Sequence, residues 1–242
     1  MRHFSQHMLG IFALCAGPAI AGEGDAARYI PEGCSAFLTV QSADCRVDHY
    51  YTCEGAPAGH KWRLSMDREG AIGLFLTDYE YRWLEAEFFR YGMTDRLVVP
   101  EQEPASLSEL LETGHDDILI LLEVTFDDGM QVFERFEGYD RLTGETDVID
   151  GETLLVTEFS MTHMSESGEF YSRASGNEYV HPEYRLFLAN QETYLESDGT
   201  VTQIVDTPIR FLEPGEAGFL DDTPHYGCEA MMSSLPAIGG QG

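Results

Sequence analysis

The sequence predicts a mainly β fold, an antiparallel meander that forms a barrel-like or strongly curved sheet with one short helix and disulfide bonds. Three observations support this prediction. Segments rich in Val, Ile, Thr, Phe and Tyr alternate with tight-turn residues along the chain. The turn residues show no fixed repeat of the kind found in solenoids and propellers. Finally, four cysteines are placed so that a complete pairing joins the two ends of the fold.

The N-terminal residues have the pattern of a signal peptide. A short basic region precedes the apolar run 8–16, and Ala19 and Ala21 form a small-x-small cleavage site. We therefore expect residues 1–21 to be a signal peptide. Residues 22–242 are then expected to form a single β-rich domain of about 220 residues, with about ten flexible residues at each end.

The expected compartment follows from the predicted signal peptide and from the cysteine count. Cleavage after Ala21 removes Cys15, so an odd count of five cysteines becomes an even four. The later apolar run 118–122 ends at Glu123 and is too short to span a bilayer. We therefore expect a periplasmic or secreted protein with no membrane span, in which disulfides persist.

The composition is strongly acidic. The chain has 43 acidic and 14 basic residues and a formal net charge of -29. Such a surface repels nucleic acid phosphates, so we expect no nucleic acid partner. A large negative charge favours solubility. The alternative is a functional one, in which the acidic surface binds a cationic protein partner.

The cysteine spacing favours one disulfide pairing. The segment 34–53 is predicted to be a hairpin that turns at residues 43–44, which places Cys34 opposite Cys53. This register favours a Cys34–Cys53 bond and leaves Cys45 to bond Cys228. The other two pairings remain open. Cys45–Cys53 is difficult on one straight strand, because eight extended residues span roughly 26 Å.

Asp-Gly pairs indicate the hairpins, because the central residues of tight two-residue turns need positive φ. We predict hairpin turns at Asp128-Gly129, Asp150-Gly151 and Asp198-Gly199. Further turns are predicted at Thr143-Gly144 and Ser175-Gly176-Asn177. The acids near the first two pairs do not match a full calcium loop, so we interpret them as turn residues.

A short helix is predicted near residues 106–113. Ser106 and Glu109 have the spacing of a capping box, and Gly114 supplies a stop. The segment 79–89 fits both a strand and a helix, and we favour the strand.

Residues 201–211 alternate as a half-buried strand. Pro208 cannot donate a ladder hydrogen bond, so it places that strand at an edge or a bulge.

The sequence contains none of the common catalytic, haem, phosphate-binding or dinucleotide motifs. We therefore assign no catalytic residue, metal ligand or cofactor. His115-Asp116-Asp117 and His181-Pro182-Glu183 could each offer a nitrogen and a carboxylate to a metal, but we interpret both as solvated turns. His163 is interpreted as a core histidine.

The aromatic content gives the only candidate for a ligand site. The chain has 14 Phe, 12 Tyr and 2 Trp, and Tyr and Trp line pockets as readily as they fill cores. The densest aromatic group is the predicted pocket lining: Trp62, Tyr79, Tyr81, Trp83, Phe88 and Phe89.

These observations favour an exported β-barrel-like binding or accessory protein, with an apolar small molecule as its ligand. The order of leader, meander and short helix resembles that of exported barrel or half-barrel carriers of apolar ligands. We expect binding rather than catalysis. The alternatives are an interaction module that uses its acidic surface, and a hydrolase of envelope or extracellular polymers that uses Asp, Glu or His.

Overall fold

A computed structural model describes residues 25–229, so the predicted signal peptide and the two ends of the mature chain lie outside the described residues. Within this range, a 3-10 turn at Asp25–Tyr29 is followed by thirteen strands and the helix α1. They are β1 (Cys34–Ser42), β2 (Arg46–Cys53), β3 (Lys61–Asp67), β4 (Gly70–Thr77), β5 (Trp83–Phe88), β6 (Met93–Leu97), α1 (Leu107–Thr113), β7 (His115–Phe126), β8 (Gln131–Ile149), β9 (Glu152–Ser165), β10 (Phe170–His181), β11 (Leu186–Glu196), β12 (Val201–Val205) and β13 (Pro208–Leu212).

All thirteen strands belong to one curled antiparallel sheet. Each strand from β1 to β11 pairs with the next one in sequence, and β13 pairs with β1. The sheet therefore has β12 at one edge and β13 at the other, although only two residues separate these strands. The predicted class, a mainly β meander in a strongly curved sheet, is confirmed.

The junction between β12 and β13 is hydrogen-bonded to β11, next to one edge of the sheet, and to the β1–β2 loop, next to the other. The Asp206 amide donates to the Asn190 carbonyl at 2.7 Å, and the Ala43 amide donates to the Thr207 carbonyl at 2.9 Å. Pro208 begins β13 where its pairing with β1 shifts, as expected for a proline at an edge or a bulge. Residues 201–211, which were predicted to be a single strand, thus form two strands on opposite edges of the sheet. These two edge strands do not pair with each other, so the sheet stays open.

The first hairpin carries both disulfides. Cys34 is bonded to Cys53 and Cys45 to Cys228, the pairs that the hairpin register favours. The expected two-residue turn is wrong, because Ser42 pairs with Arg46 across a three-residue loop in which Cys45 has φ 52°. A bulge further along β1 compensates for this shift and restores the facing of Cys34 and Cys53.

All three Asp-Gly pairs lie in hairpin connections, but only Asp150-Gly151 forms the predicted two-residue turn, and Asp128-Gly129 and Asp198-Gly199 lie in longer loops. Two other glycines that were predicted in turns lie inside strands. Asp150 and Gly151 have φ of 52° and 94° and connect β8 directly to β9. Gly144 lies inside β8 at a register shift, and Gly176 lies inside β10. A Cβ atom at Gly176 would lie 1.9 Å from the Gln191 carbonyl oxygen, so glycine permits the close approach of β11.

Helix α1 lies across the ends of several strands. The Glu109 amide donates to the Ser106 Oγ at 3.2 Å, and Gly114 ends the helix in the left-handed region, so the predicted caps are confirmed. The buried Leu107 and Leu110 pack against one residue from each of β8, β9, β10 and β11: Leu142, Leu155, Val180 and Phe187. No helix within residues 25–229 is long and apolar enough to cross a membrane.

The outer face of the first strands is covered by the two ends of the described chain. Val47, Leu64 and Met66 pack there against Ala26 and Leu220. The Ala26 amide donates to the Leu220 carbonyl at 2.9 Å. Because this face of β2 and β3 is occupied, their alternate residues are left to face the interior of the curl.

We expect the long-range disulfide to contribute more to stability than the hairpin disulfide. The bonds span sequence separations of 183 and 19 residues. The chain-entropy model gives about 5 kcal/mol for the Cys45–Cys228 bond and about 3 kcal/mol for the Cys34–Cys53 bond. Urea unfolding of the two double Cys→Ser variants measures the difference. Equal losses would show that loop length does not set these contributions.

Candidate functional site

The curled sheet contains a cavity of about 510 Å³. Residues from every strand between β2 and β11, and Leu107 of α1, line it. Its apolar lining consists mainly of aromatic and long aliphatic side chains: Phe75, Phe88, Leu97, Ile118, Ile120, Leu122, Phe136, Phe159, Met161 and Phe187. A volume of this size is typical of sites for small organic molecules.

One row of paired residues forms a wall across β2 to β6. Tyr50 pairs with Arg63, which pairs with Phe75, and the row continues through Ala86 to Asp95. Directly paired residues of antiparallel strands point to the same face of a sheet, and all five line the cavity. The register therefore places a cation and a carboxyl group among aromatic and small side chains.

A second row places carboxyl groups on the opposite wall. Asp116 of β7 pairs with Asp140 of β8, which pairs with Phe159 of β9. Phe159 pairs with Gly176, and Glu178 lies two residues further along β10 and so on the same face. With Glu192 of β11, which also lines the cavity, acids from four strands meet in this region.

Burial changes the ionisation of these acids. Burial, and then the charge of Asp116, raises the pKa of Asp140 to about 7. The pKa of Asp116 is raised to about 6, mainly by burial. Burial also raises the pKa of Glu178 well above its usual range; Asp140 and Glu192 raise it further, and Arg63 lowers it only in part. The neutral form of Asp140 is therefore well populated near neutral pH, and burial favours the neutral form of Glu178 as well.

Asp140 and Glu178 face the cavity without partners from the protein. Within residues 25–229, neither carboxyl accepts a hydrogen bond from the protein or lies within 4.0 Å of a cationic nitrogen. Asp140 is nevertheless only 9% exposed. Asp116 differs, because the Ser106 amide donates to its Oδ2 at 2.8 Å. Glu192 accepts from the Tyr194 hydroxyl at 2.6 Å.

Arg63 differs from the other cations that line the cavity. Its guanidinium lies 4.4 Å from the centroid of the Phe75 ring. Burial lowers its pKa, but Asp48, Tyr81 and Tyr50 raise it by more, so the net shift is upward and the group is charged. Among the described residues no carboxylate lies within ion-pair distance of it.

The remaining cations of the lining are held by the protein itself. Arg46 forms an ion pair with Asp206, and Arg82 pairs with Asp78 at 2.6 Å. Lys61 Nζ donates to a backbone carbonyl at 3.0 Å. These cations are therefore committed to structural contacts.

The structure brings together four of the six aromatic residues predicted to line a pocket. Trp62, Tyr81, Trp83 and Phe88 are among the lining residues. The Trp62 ring, however, stacks on Tyr51 at a centroid distance of 5.9 Å. It packs with the apolar residues on the outer face of the first strands.

The other two aromatic residues lie outside the cavity. Tyr79 is 52% exposed and its ring contacts the Arg185 guanidinium at 4.0 Å. Phe89 is 42% exposed. A ligand-binding role for the six stays a prediction.

Other residues of the lining were missed at the level of sequence. His163 accepts or donates a hydrogen bond with Glu134 at 2.8 Å, and its ring stacks on Phe136 at 4.5 Å. Trp83 meets Phe136 edge to face at 6.0 Å. These contacts join β5, β8 and β9, and only the register between the strands brings them together.

The interpretation of two histidine motifs as solvated turns is wrong for His115-Asp116-Asp117, which begins β7, and holds in part for His181-Pro182-Glu183, where Pro182 and Glu183 are exposed turn residues. Asp116 is buried in the second position of β7, and His181 is buried at the end of β10. The alternation of Asp116 with Ile118 and Ile120 was the available signal that Asp116 faces inward. Within the described range, no group of three His, Cys, Asp or Glu residues is arranged to hold a metal ion.

Comparisons with protein-family models, with curated proteins and with solved structures find no match to this chain. The candidate site is thus defined by the cavity, its aromatic lining and its carboxyl groups.

Replacing the buried Asp140 by Asn should stabilise the protein more near pH 8 than near pH 5. The folded pKa of about 7 exceeds the ordinary value of 3.8. Folding therefore takes up a proton between these values, and the free energy of unfolding falls as the pH rises through them. We expect Asp140→Asn to increase the free energy of unfolding by on the order of 2 kcal/mol more near pH 8 than near pH 5.

Urea unfolding at both pH values measures this difference. Glu145→Gln is the matched control, because Glu145 is an exposed acid on the same strand. A gain that is equal at both pH values would contradict a buried, titrating Asp140.

Proposed function

We propose that this protein is an exported binding protein that holds a small molecule with a large apolar part inside its curled sheet. The observation that carries the proposal is the cavity of about 510 Å³ with its aromatic and aliphatic lining. Transfer of apolar ligand surface from water to such a lining is favourable by roughly 25 cal/mol per Å². Ligands of this size are bound mainly through that term.

Export is supported by the N-terminal pattern and by the covalent framework. The Cys45–Cys228 and Cys34–Cys53 bonds are typical of oxidising compartments, which supports a periplasmic or secreted location. The net charge of -29 supports contact with a cationic protein partner through the outer surface as an additional role.

A second candidate function is hydrolysis. The observation that favours it is a pair of carboxyl groups, Asp140 and Glu178, that line one cavity and interact electrostatically. Paired carboxyls with raised pKa values serve as acid and base in many hydrolases. Because strands surround this cavity, a small substrate or a chain end would fit it better than the middle of a polymer. Turnover of small chromogenic esters or glycosides that is lost in Asp140→Asn would support this candidate.

The binding proposal is tested by filling the cavity. We expect N-phenyl-1-naphthylamine, a neutral dye, to bind saturably with a Kd of about 1–10 μM. Ala86→Phe and Ala174→Phe place a ring in the lining and should weaken binding by at least about tenfold, because the dye and the ring compete for the same volume. Fluorescence titration gives the affinities.

Val148→Phe is the matched control, since Val148 is 69% exposed on β8. Circular dichroism confirms that each variant is folded. Non-saturable adsorption by the wild type, or unchanged affinity in both cavity variants, would refute binding in the cavity.

A further inference from the structure

The cavity contains more unpaired acid than unpaired base. Within residues 25–229, three of its carboxyl groups have no hydrogen-bond or ion-pair partner in the protein: Asp95, Asp140 and Glu178. Arg63 is the only lining cation of that range without an ion-pair or hydrogen-bond contact to a carboxylate or carbonyl oxygen. A purely apolar ligand would leave all these polar groups unsatisfied in a desolvated space.

Asp140 is the clearest of these groups. It is more than nine-tenths buried, it lines the cavity, and it lies directly opposite Phe159 on the neighbouring strand. A buried polar side chain without a partner is uncommon in folded proteins and calls for an explanation. A ligand group that donates hydrogen bonds to the Asp140 carboxyl would explain why this side chain has no partner in the protein.

We propose that the ligand carries an organic ammonium group, which binds at Asp140 and Glu178 while its apolar body packs against the aromatic lining. This inference rests on the proposed function and names the ligand class of that same cavity. An ammonium group has three donors and a positive charge, so it can satisfy two carboxylates at once. The adjacent aromatic rings offer faces that attract a cation.

An anionic ligand fits the cavity less well. The positive charge of Arg63 is already opposed by Asp48 and Glu178, which both interact with it electrostatically. A ligand carboxylate placed beside Arg63 would also face the acids of the opposite wall. Repulsion at these distances in a space of low dielectric opposes its binding.

The proposed site makes amine affinity depend on pH. The ammonium pairs with ionised carboxylates, so proton loss from Asp140 near neutral pH favours binding. Charged groups from five elements act electrostatically on this pair or on its neighbour Asp116: His115, Asp116 and Asp117 of β7, Glu109 of α1, Glu178 of β10, Glu192 of β11 and Arg63 of β3.

Three ligands with one apolar body and different charges test the proposal. They are 1-naphthylmethylamine, 1-naphthalenemethanol and 1-naphthoic acid. Calorimetry in about 0.3 M salt screens the acidic outer surface. Near pH 8 we expect the amine to bind at least about tenfold more tightly than the alcohol, and the acid most weakly.

Variants and pH separate the carboxyl site from general attraction of cations. Asp140→Asn and Glu178→Gln should each remove most of the amine's advantage and leave the affinity for the alcohol unchanged within about twofold. Glu145→Gln likewise replaces one acid by its amide, but at an exposed position, and it should leave the amine's advantage over the alcohol intact. Between pH 8 and pH 5.5 the amine should lose at least about fivefold in affinity, and the alcohol should not change.

The outcomes distinguish this inference from the function on which it rests. Equal affinities for the amine and the alcohol, or an amine preference that survives both carboxyl variants, would overturn the ammonium site and leave apolar binding intact. Tightest binding of the acid would assign recognition to Arg63 instead. Failure of all three ligands, together with loss of saturable dye binding, would remove the proposed function itself.

Discussion

The structure depends on one short segment that joins the two edge strands of a single sheet and is hydrogen-bonded beside each edge. Residues 206–207 join β12 on one edge to β13 on the other, with backbone bonds to Asn190 and from Ala43. Because the segment has only two residues, the sheet must curl until its edges approach one another. The two edge strands, β12 and β13, are thereby held near one another although no ladder pairs them. The Cys45–Cys228 bond secures the same region, since it anchors the C-terminal segment to the first hairpin loop.

The curl explains why there is a cavity at all. A sheet of thirteen strands encloses a wider interior than the side chains of its concave face can fill. Helix α1 and the apolar residues of β8 to β11 fill one region with Leu107, Leu110 and their neighbours. The remaining space is lined by aromatic residues of β4, β5, β8 and β9, with Asp140 beside Phe159 and with Glu178 on β10. The architecture thus produces both the volume and a carboxyl group next to an aromatic ring.

Local features of the chain were predictable because local chemistry determines them. The caps of α1 and the Asp150-Gly151 turn each need a particular residue type, and the structure has both. Gly144 and Gly176 were misinterpreted because a bulge or a close strand contact requires glycine as much as a turn does. The disulfide pairing followed from a register in which two irregularities, a longer loop and a bulge, cancel. The carboxyl cluster could not be predicted, since it depends on the register of β7 to β11, to which residues more than sixty positions apart contribute.

The interior acids also explain how the cavity can exist in two states. Without a ligand, burial favours the protonated forms of Asp140 and Glu178, which lowers the cost of leaving these carboxyl groups unpaired. In the proposed complex the ammonium group takes the place of the proton on Asp140, so the charge at that carboxyl group changes little when the ligand enters. Thermodynamic linkage then requires that binding release protons near neutral pH and that protonation weaken binding to the same extent. The same two carboxyl groups would therefore be more protonated in the empty protein and ionised in the complex, where they bind the ammonium group.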